Sequence, residues 1–327
     1  MMQAIWYEQT GTADEVLNYG EMDTLSPGGD EVVVEIKASG VNPSDVKTRA
    51  GARGPIQFPF VIPHSDGAGE IVGVGKNVDS GRMGERVWLW NAAWNRAYGT
   101  CAEKCVLPAQ QAVVLPDCIS FNHGACLGVP AMTAAYGIFG DGDVSGKTIL
   151  VTGGAGAVGH YAVQLAKWGG AKVITTVSND VKSDFAKMGG ADITLNYKKD
   201  DVKVAIQDVT DGLGVDRILD VEFGGNIDVS KDIIKPHGVI ATYGSMADPA
   251  PRIPFYELMF KSVSIKPYLV YILPDDARAR MIDILTRVLK ENRLSHTVHR
   301  TFPLNKTAAA HSYIEENEFI GKIVVTI

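Results

Sequence analysis

Cysteine is scarce in this chain: Cys101, Cys105, Cys118 and Cys126 are the only thiols in 327 residues. So few thiols in so long a sequence read as reduced residues of a cytoplasmic protein, not as a disulfide framework. Long apolar runs are missing too. None approaches the ~18 residues that a membrane span requires. The start, Met1-Met2-Gln3-Ala4-Ile5-Trp6, has no basic segment leading into an apolar core, so no secretory signal is expected. Positive charge is in deficit. The 31 Lys and Arg against 38 Asp and Glu leave a net charge of −7, which argues against a nucleic-acid or anionic-membrane surface. The triphosphate-binding loop G-x-x-x-x-G-K-[ST] is also absent.

What is present is ordinary globular material: 46% of residues are hydrophobic and 21% charged, and the length allows two domains. From residue 1 to 121, short β-rich runs such as Glu31–Ile36, Glu70–Gly75 and Arg86–Trp90 alternate with Gly- and Pro-containing turns, the texture of a small β-barrel-like domain. From 122 to 266 the texture changes to strands alternating with helices. Thr148–Thr152, Lys172–Val177, Arg217–Val221 and Val239–Tyr243 read as strands, and Ala157–Trp168 carries helical periodicity. Repeated β-α units of this spacing predict a parallel, doubly wound sheet. Residues 267–327 hold a helix near Asp275–Glu291 and then short β-like runs. They read as the first domain resumed, so the expected organisation is a barrel domain of 1–121 plus 267–327 with an α/β domain of 122–266 inserted.

The chemistry is concentrated at Gly153-Gly154-Ala155-Gly156-Ala157-Val158-Gly159. This run places G-x-G-x-x-G at Gly154, Gly156 and Gly159, after an apolar strand and at the start of an amphipathic helix. Gly154 is expected to make the tight turn, Gly156 to let the backbone approach a pyrophosphate, and Gly159 to let helix pack on strand. Free N–H groups and the positive end of the helix dipole would then face phosphate. The second strand ends in Thr176-Val177-Ser178-Asn179-Asp180-Val181-Lys182. NAD sites usually place Asp or Glu there to bind the ribose. Here Ser178 and Asn179 stand near that position and Lys182 follows, which favours a 2′-phosphate and NADPH. Asp180 keeps an NAD ribose open as an alternative.

With the turn placed, the chain resembles the zeta-crystallin-like, zinc-independent quinone oxidoreductases of the medium-chain dehydrogenase/reductase superfamily. The likeness spans essentially the whole chain. Gly40-Val41-Asn42-Pro43-Ser44-Asp45 resembles the family's G-V-N-P-x-[DE], and Pro63–Gly69 its P-x-x-D-x-A-G turn. Gly128–Ala134 and Asn226–Asp232 are similar to further family segments in the same order. The resemblance implies a GroES-like β-barrel catalytic domain plus a Rossmann domain. It implies cofactor contacts at Thr133, Gly154, Ala155, Gly156, Ala157, Val158, Gly159, Ser178, Lys182, Tyr197, Asn226, Tyr243, Gly244, Ser245 and Met246.

It also frames the catalysis. Zinc-dependent relatives carry Cys where this chain has Asn42 and Gly-His-Glu where it has His64-Ser65-Asp66. Asn and Ser do not replace thiolate and imidazole as tight ligands, so no metal is expected, and His64 reads as a hydrogen-bonded turn residue. The implied reaction is zinc-independent hydride transfer from NADPH to a quinone, with an enone or 2-alkenal reductase as the alternative. Asn42 is the candidate polar group beside the acceptor carbonyl. Lys47 stands where the family often has Tyr; it would stabilise an oxyanion, bind an anionic substrate, or simply face water. The tryptophans of Trp88–Trp94 would line a pocket or pack in the core. Some zeta-crystallins accumulate in lens or bind RNA, but no basic, aromatic platform for RNA is present. The segment Ser262–Val270 reads as an edge strand of the nucleotide sheet, and family members pair there, so a homodimer or homotetramer is expected.

Overall fold

The computed structural model describes residues Met1–Ile327, which divide into two compact units. Unit 1 comprises Met1–Val129 and His296–Ile327, and unit 2 comprises Pro130–Ser295. No helix is long and apolar enough to cross a membrane.

Unit 1 begins with strands β1 (Met2–Trp6), β2 (Asn18–Met22), β3 (Glu31–Val41), β4 (Asp66–Val74), β5 (Arg86–Leu89), β6 (Lys104–Pro108) and β7 (Ala112–Val114). The long strand β3 organises the rest. Its inward residues Val32, Val34 and Ile36 pack with Ile71, Val87, Leu89 and Leu107 in one core, as alternation along a half-buried strand requires. β3 pairs antiparallel with β4 on one side, while β6 also adds to it. It ends at Val41, and Asn42 then caps the helix Pro43–Arg49, with proline at its first position and Asp45 accepting from the Asn42 N–H.

Unit 2 is the nucleotide-type sheet. Strands β8 (Thr148–Val151), β9 (Lys172–Val177), β10 (Ile193–Asn196), β11 (Val215–Asp220), β12 (Ile234–Thr242) and β13 (Ser264–Pro267) lie in the order β10-β9-β8-β11-β12-β13. All are parallel. The chain runs outward from β8 in one direction and then restarts at β11, so the reversal falls between β8 and β11, where doubly wound sheets open a crevice at their carboxyl ends. Leu150, Ile174, Ile218 and Ile240 form the inner core.

The last strands, β14 (Val298–Pro303) and β15 (Lys322–Thr326), return to unit 1. β15 pairs antiparallel with β3 in a register that sets Ile323 beside Val41, so the next pair along is Lys322 and Asn42. Two boundaries differ from the sequence reading. Unit 2 continues past residue 266 to Ser295, because helix Asp275–Lys290 packs on helix Met132–Phe139 inside that unit. Unit 1 in turn runs to Val129, where residue 121 was the expected limit. Between β11 and β12 lies helix Phe223–Ile233, although Gly224 and Gly225 lower helix propensity in its first turn.

Candidate active site

In unit 2 the Gly153–Gly159 turn joins β8 to helix Ala157–Trp168. Gly153, not Gly154, carries the left-handed backbone of the turn, with φ of +70°. A Cβ on Gly159 would lie 2.1 Å from the Gly153 carbonyl oxygen, so only glycine lets the helix start this close to the strand. Gly156 is exposed as the cap before Ala157, and the first-turn N–H groups at Ala157, Val158 and Gly159 have no acceptor within their own helix. Unpaired N–H groups at a helix start favour an anion.

At the end of β9, Ser178 Oγ is buried with no hydrogen-bond partner in the chain. Asn179 caps helix Asp180–Met188, its Oδ1 accepting from the Lys182 N–H at 2.9 Å. Lys182 is half-buried on the first turn. Asp180, the residue that left an NAD ribose open, pairs with Lys199 at 3.7 Å. Tyr197 is exposed just beyond β10 and donates its N–H to Val177 O.

The other expected contacts gather at the carboxyl ends of β11 and β12. The Asn226 amide donates to Asp220 Oδ1 at 2.9 Å. That oxygen also accepts from Thr152 Oγ1 and the Glu222 N–H, while Asp220 Oδ2 is buried without a partner. Glu222 takes the N–H groups of Met246 and Ala247 at 2.8 and 3.0 Å, which shapes the loop after Gly244. Tyr243, Gly244 and Ser245 line a cavity of about 730 Å³ together with Phe223, Tyr268 and Leu269. Tyr268 donates to the carbonyl of Thr133 at 2.8 Å, and Thr133 itself is buried. Burial pushes the Tyr243 and Tyr268 hydroxyls above the usual tyrosine range, so both remain protonated donors.

Unit 1 holds the remaining candidates. Asn42 is buried, and its Nδ2 donates to Asp66 Oδ2 at 2.9 Å. Lys322 Nζ donates to Asn42 Oδ1 at 2.5 Å and to Asp66 Oδ2 at 2.7 Å. Asp66 Oδ1 accepts from the Val129 N–H at 2.7 Å. Asp45, three residues after Asn42, is pushed up to about 7 by burial first and by the Asp66 charge second. Lys47 lies on the exposed side of the same helix. Trp88 and Trp90 are buried and only Trp94 is half-exposed, with Arg53 over its ring at 5.9 Å.

His64 is a turn residue with φ of +76°, and its bonds fix their own direction. Thr100 Oγ1 donates to Asp66 O at 2.6 Å, so it accepts from Ser39 Oγ at 2.7 Å. Ser39 Oγ then accepts from His64 Nδ1 at 2.8 Å. This leaves His64 Nε2 as acceptor and His311 Nε2 as donor across 2.8 Å. This assignment holds for neutral rings, which burial favours. Burial depresses His64 well below the usual histidine range and His311 to about 3.

Two family models match the chain: an alcohol dehydrogenase GroES-like domain over residues 28–117 and a zinc-binding dehydrogenase over 157–287. A Spinacia oleracea protein named quinone-oxidoreductase homolog, chloroplastic, is 30% identical over 340 residues, covering 99% of this chain and 98% of that one. The chain belongs to the medium-chain dehydrogenase/reductase family, in its zinc-independent quinone-oxidoreductase type. It is an oxidoreductase of small-molecule substrates with a GroES-like and a Rossmann domain. A 2-haloacrylate reductase of Burkholderia sp. is 29% identical over 338 residues, covering 99% and 98% of the two chains. A mycobacterial protein solved with NADPH has a TM-score of 0.86 at 26% identity, with both chains wholly covered.

The zinc named in one matching model does not fit this member of the family. Amide and hydroxyl stand at Asn42 and Ser65, and neither is a tight zinc ligand. An ammonium within 3 Å of Asn42 and Asp66 adds a charge that repels a dication. Lys322 is the buried charge of this cluster that sequence reading passed over. In the sequence it is one residue of the apolar run Lys322-Ile323-Val324-Val325. Only the β3–β15 register brings it to Asn42, 280 residues away.

Proposed function

We propose that this reductase transfers hydride from NADPH to quinones. The observation that carries the reading is the end of β9. A carboxylate binding the ribose is replaced there by Ser178, whose buried hydroxyl has no partner in the chain, followed by a helix N-terminus and Lys182. A 2′-phosphate would use all three, since hydroxyl, helix dipole and ammonium each favour an anion. Asp180 opposes it least, because Lys199 offsets its charge. The first-turn N–H groups at Ala157–Gly159 would bind the pyrophosphate, with Gly154, Ala155 and Gly156 giving it backbone access. Thr133, Tyr197, Asn226 and Tyr243–Met246 complete the proposed contacts.

When bound, NADPH supplies the hydride; a quinone takes it with one proton from water and leaves as hydroquinone. The chain's own part is position and electrostatics. In unit 1, Asn42 would donate a hydrogen bond to the acceptor oxygen as charge builds there, and Lys47 would attract electron-rich or anionic acceptors. A second reading, reduction of an enone or 2-alkenal double bond, is favoured by the likeness to the 2-haloacrylate reductase. The test compares NADPH oxidation with an ortho-quinone, a para-quinone and a 2-alkenal. Quinone turnover is expected; saturation of the alkenal alone would overturn the quinone reading.

We also propose a homodimer. β13 has β12 as its only strand neighbour, and Phe255, Tyr256 and Phe260 are exposed just before it. An open edge beside exposed aromatics is a pairing site. A dimeric or tetrameric mass by light scattering is expected, and a monomeric mass would contradict it. The four free cysteines, three of them buried, support the cytoplasmic reading.

A further inference from the structure

The cavity of about 730 Å³ at the carboxyl ends of β12 and β13 lies wholly within unit 2. Its size and walls suit one small-molecule ligand, since such pockets are mostly apolar with a few polar groups that fix orientation. Nine of the thirteen lining residues are apolar or glycine, among them Phe223, Pro251, Ile253 and Leu269, and none of the thirteen is charged. A phosphate or carboxylate would find no cation there to offset its lost hydration. The ligand that fits is neutral and largely apolar, and the rings of Phe223, Tyr243 and Tyr268 suit a flat ring.

The other four lining residues carry hydroxyls. Thr242 Oγ1 donates to Gly244 O at 3.2 Å, Ser245 Oγ donates to the carbonyl of Asp248, and Tyr268 donates to Thr133 O at 2.8 Å. Those three protons are spent within the chain. The Tyr243 hydroxyl differs. Burial first and the Asp220 charge second, with no hydrogen bond, raise it above the usual tyrosine range, so it keeps its proton and has no acceptor for it. The ring is held nonetheless: the Tyr243 N–H donates to Asp220 O at 3.2 Å, and the ring lies 6.2 Å from that of Tyr268. A fixed donor in an apolar cavity favours a ligand oxygen, because nothing else there replaces the water it gives up. We propose that this cavity seats a neutral, ring-bearing carbonyl compound whose oxygen accepts from Tyr243 Oη, which makes Tyr243 a specificity-determining residue for the acceptor. That the seat serves the acceptor rests on the reading of the chain as a quinone reductase. The backbone of Tyr243–Met246 stays available to NADPH.

The test uses the full-length protein and equilibrium dialysis, without cofactor, of 1-tetralone and tetralin. These redox-inert probes share two fused rings and differ in the ketone oxygen. Tyr243→Phe removes the hydroxyl and keeps the ring. The wild type should bind 1-tetralone about five- to tenfold more tightly than tetralin, the effect of one hydrogen bond, and Tyr243→Phe should bind the two within about twofold. Equal binding by the wild type, or a preference that survives in Tyr243→Phe, would overturn the proposal. So would 1-naphthoate, an anion of similar size, binding as tightly as 1-tetralone. NADPH affinity should be the same in both proteins; a loss in Tyr243→Phe with tetralone binding unaltered would give the hydroxyl to the cofactor and overturn the proposal. With 1,4-naphthoquinone and NADPH, kcat/KM should fall about five- to tenfold in Tyr243→Phe, through KM more than kcat. If the wild type does not reduce the quinone yet shows hydroxyl-dependent tetralone binding, the quinone reading falls and the seat stands. If it reduces the quinone and Tyr243→Phe does so equally well, only the role of Tyr243 falls.

Discussion

The two units make their sites from different material. In unit 2 the proposed anion seat is backbone: N–H groups at a helix start, a left-handed glycine at Gly153, and the small residues Gly154 and Gly156. In unit 1 the chemistry is buried charge, with Lys322, Asp66 and Asp45 grouped around one amide and two neutral histidines nearby. A backbone site tolerates side-chain change wherever a Cβ has room. A buried-charge site does not, because removing one partner strands the other in a low dielectric. The difference predicts where substitutions damage the fold and where they damage only binding.

The largest expected effect follows from stranding a charge. Asp66→Ala should lower stability by about 3–5 kcal/mol, measured by chemical denaturation, since Lys322, Asn42 and the Val129 N–H all lose their acceptor. A loss below about 1 kcal/mol would mean the ammonium reaches water. The next effect separates the titrating groups of unit 1 by sign. His311 is held at about 3, below its ordinary value, by burial first and the Arg49 charge second. The unfolded chain therefore binds protons below about pH 6.5 while the folded one does not. That contribution is complete above pH 6.5 and falls by on the order of 2 kcal/mol by pH 5. Asp45, raised to about 7, acts the other way: its contribution is present at low pH and is lost as pH rises through 7. Asp45→Asn should thus gain on the wild type by on the order of 2 kcal/mol between pH 5 and pH 8, and its remaining acid sensitivity should be steeper. An unchanged gap across that range would place Asp45 in contact with water.

In unit 2 the glycines sharpen the contrast. Gly159→Ala forces a Cβ against the Gly153 carbonyl and should cost about 1–3 kcal/mol of stability. Gly156→Ala meets nothing closer than 3.3 Å, so it should leave stability within about 0.5 kcal/mol and weaken NADPH binding only. Equal melting shifts in the two variants would break the backbone account. The smallest effect is on specificity. Lys182→Ala should reduce the preference for NADPH over NADH by about tenfold, as one charge-assisted bond is worth roughly 1.5 kcal/mol. Unchanged discrimination would assign the 2′-phosphate to other residues.

These regions also differed in how far the sequence revealed them. The glycine turn was legible because its parts are local: strand, glycines and helix lie within a dozen residues, and their spacing carries the physics. The register of β3 and β15 was not legible, since no local pattern links Asn42 to a lysine at position 322. The left-handed turn at Gly153 was assigned to Gly154 because spacing alone does not identify which of two adjacent glycines takes positive φ. Helix Asp275–Lys290 showed its apolar face through Met281, Ile284, Leu285 and Val288, yet an apolar face does not name the surface that covers it. His64, tempting as a ligand, was rightly read as a hydrogen-bonded turn residue.

The most direct test of a zinc-independent NADPH:quinone reductase is steady-state NADPH oxidation with 1,4-benzoquinone by protein treated with a chelator. Turnover that persists without metal, with NADPH preferred over NADH, is the expected result. Oxidation that disappears with the chelator and returns with zinc, or no quinone-dependent oxidation at all, would contradict it.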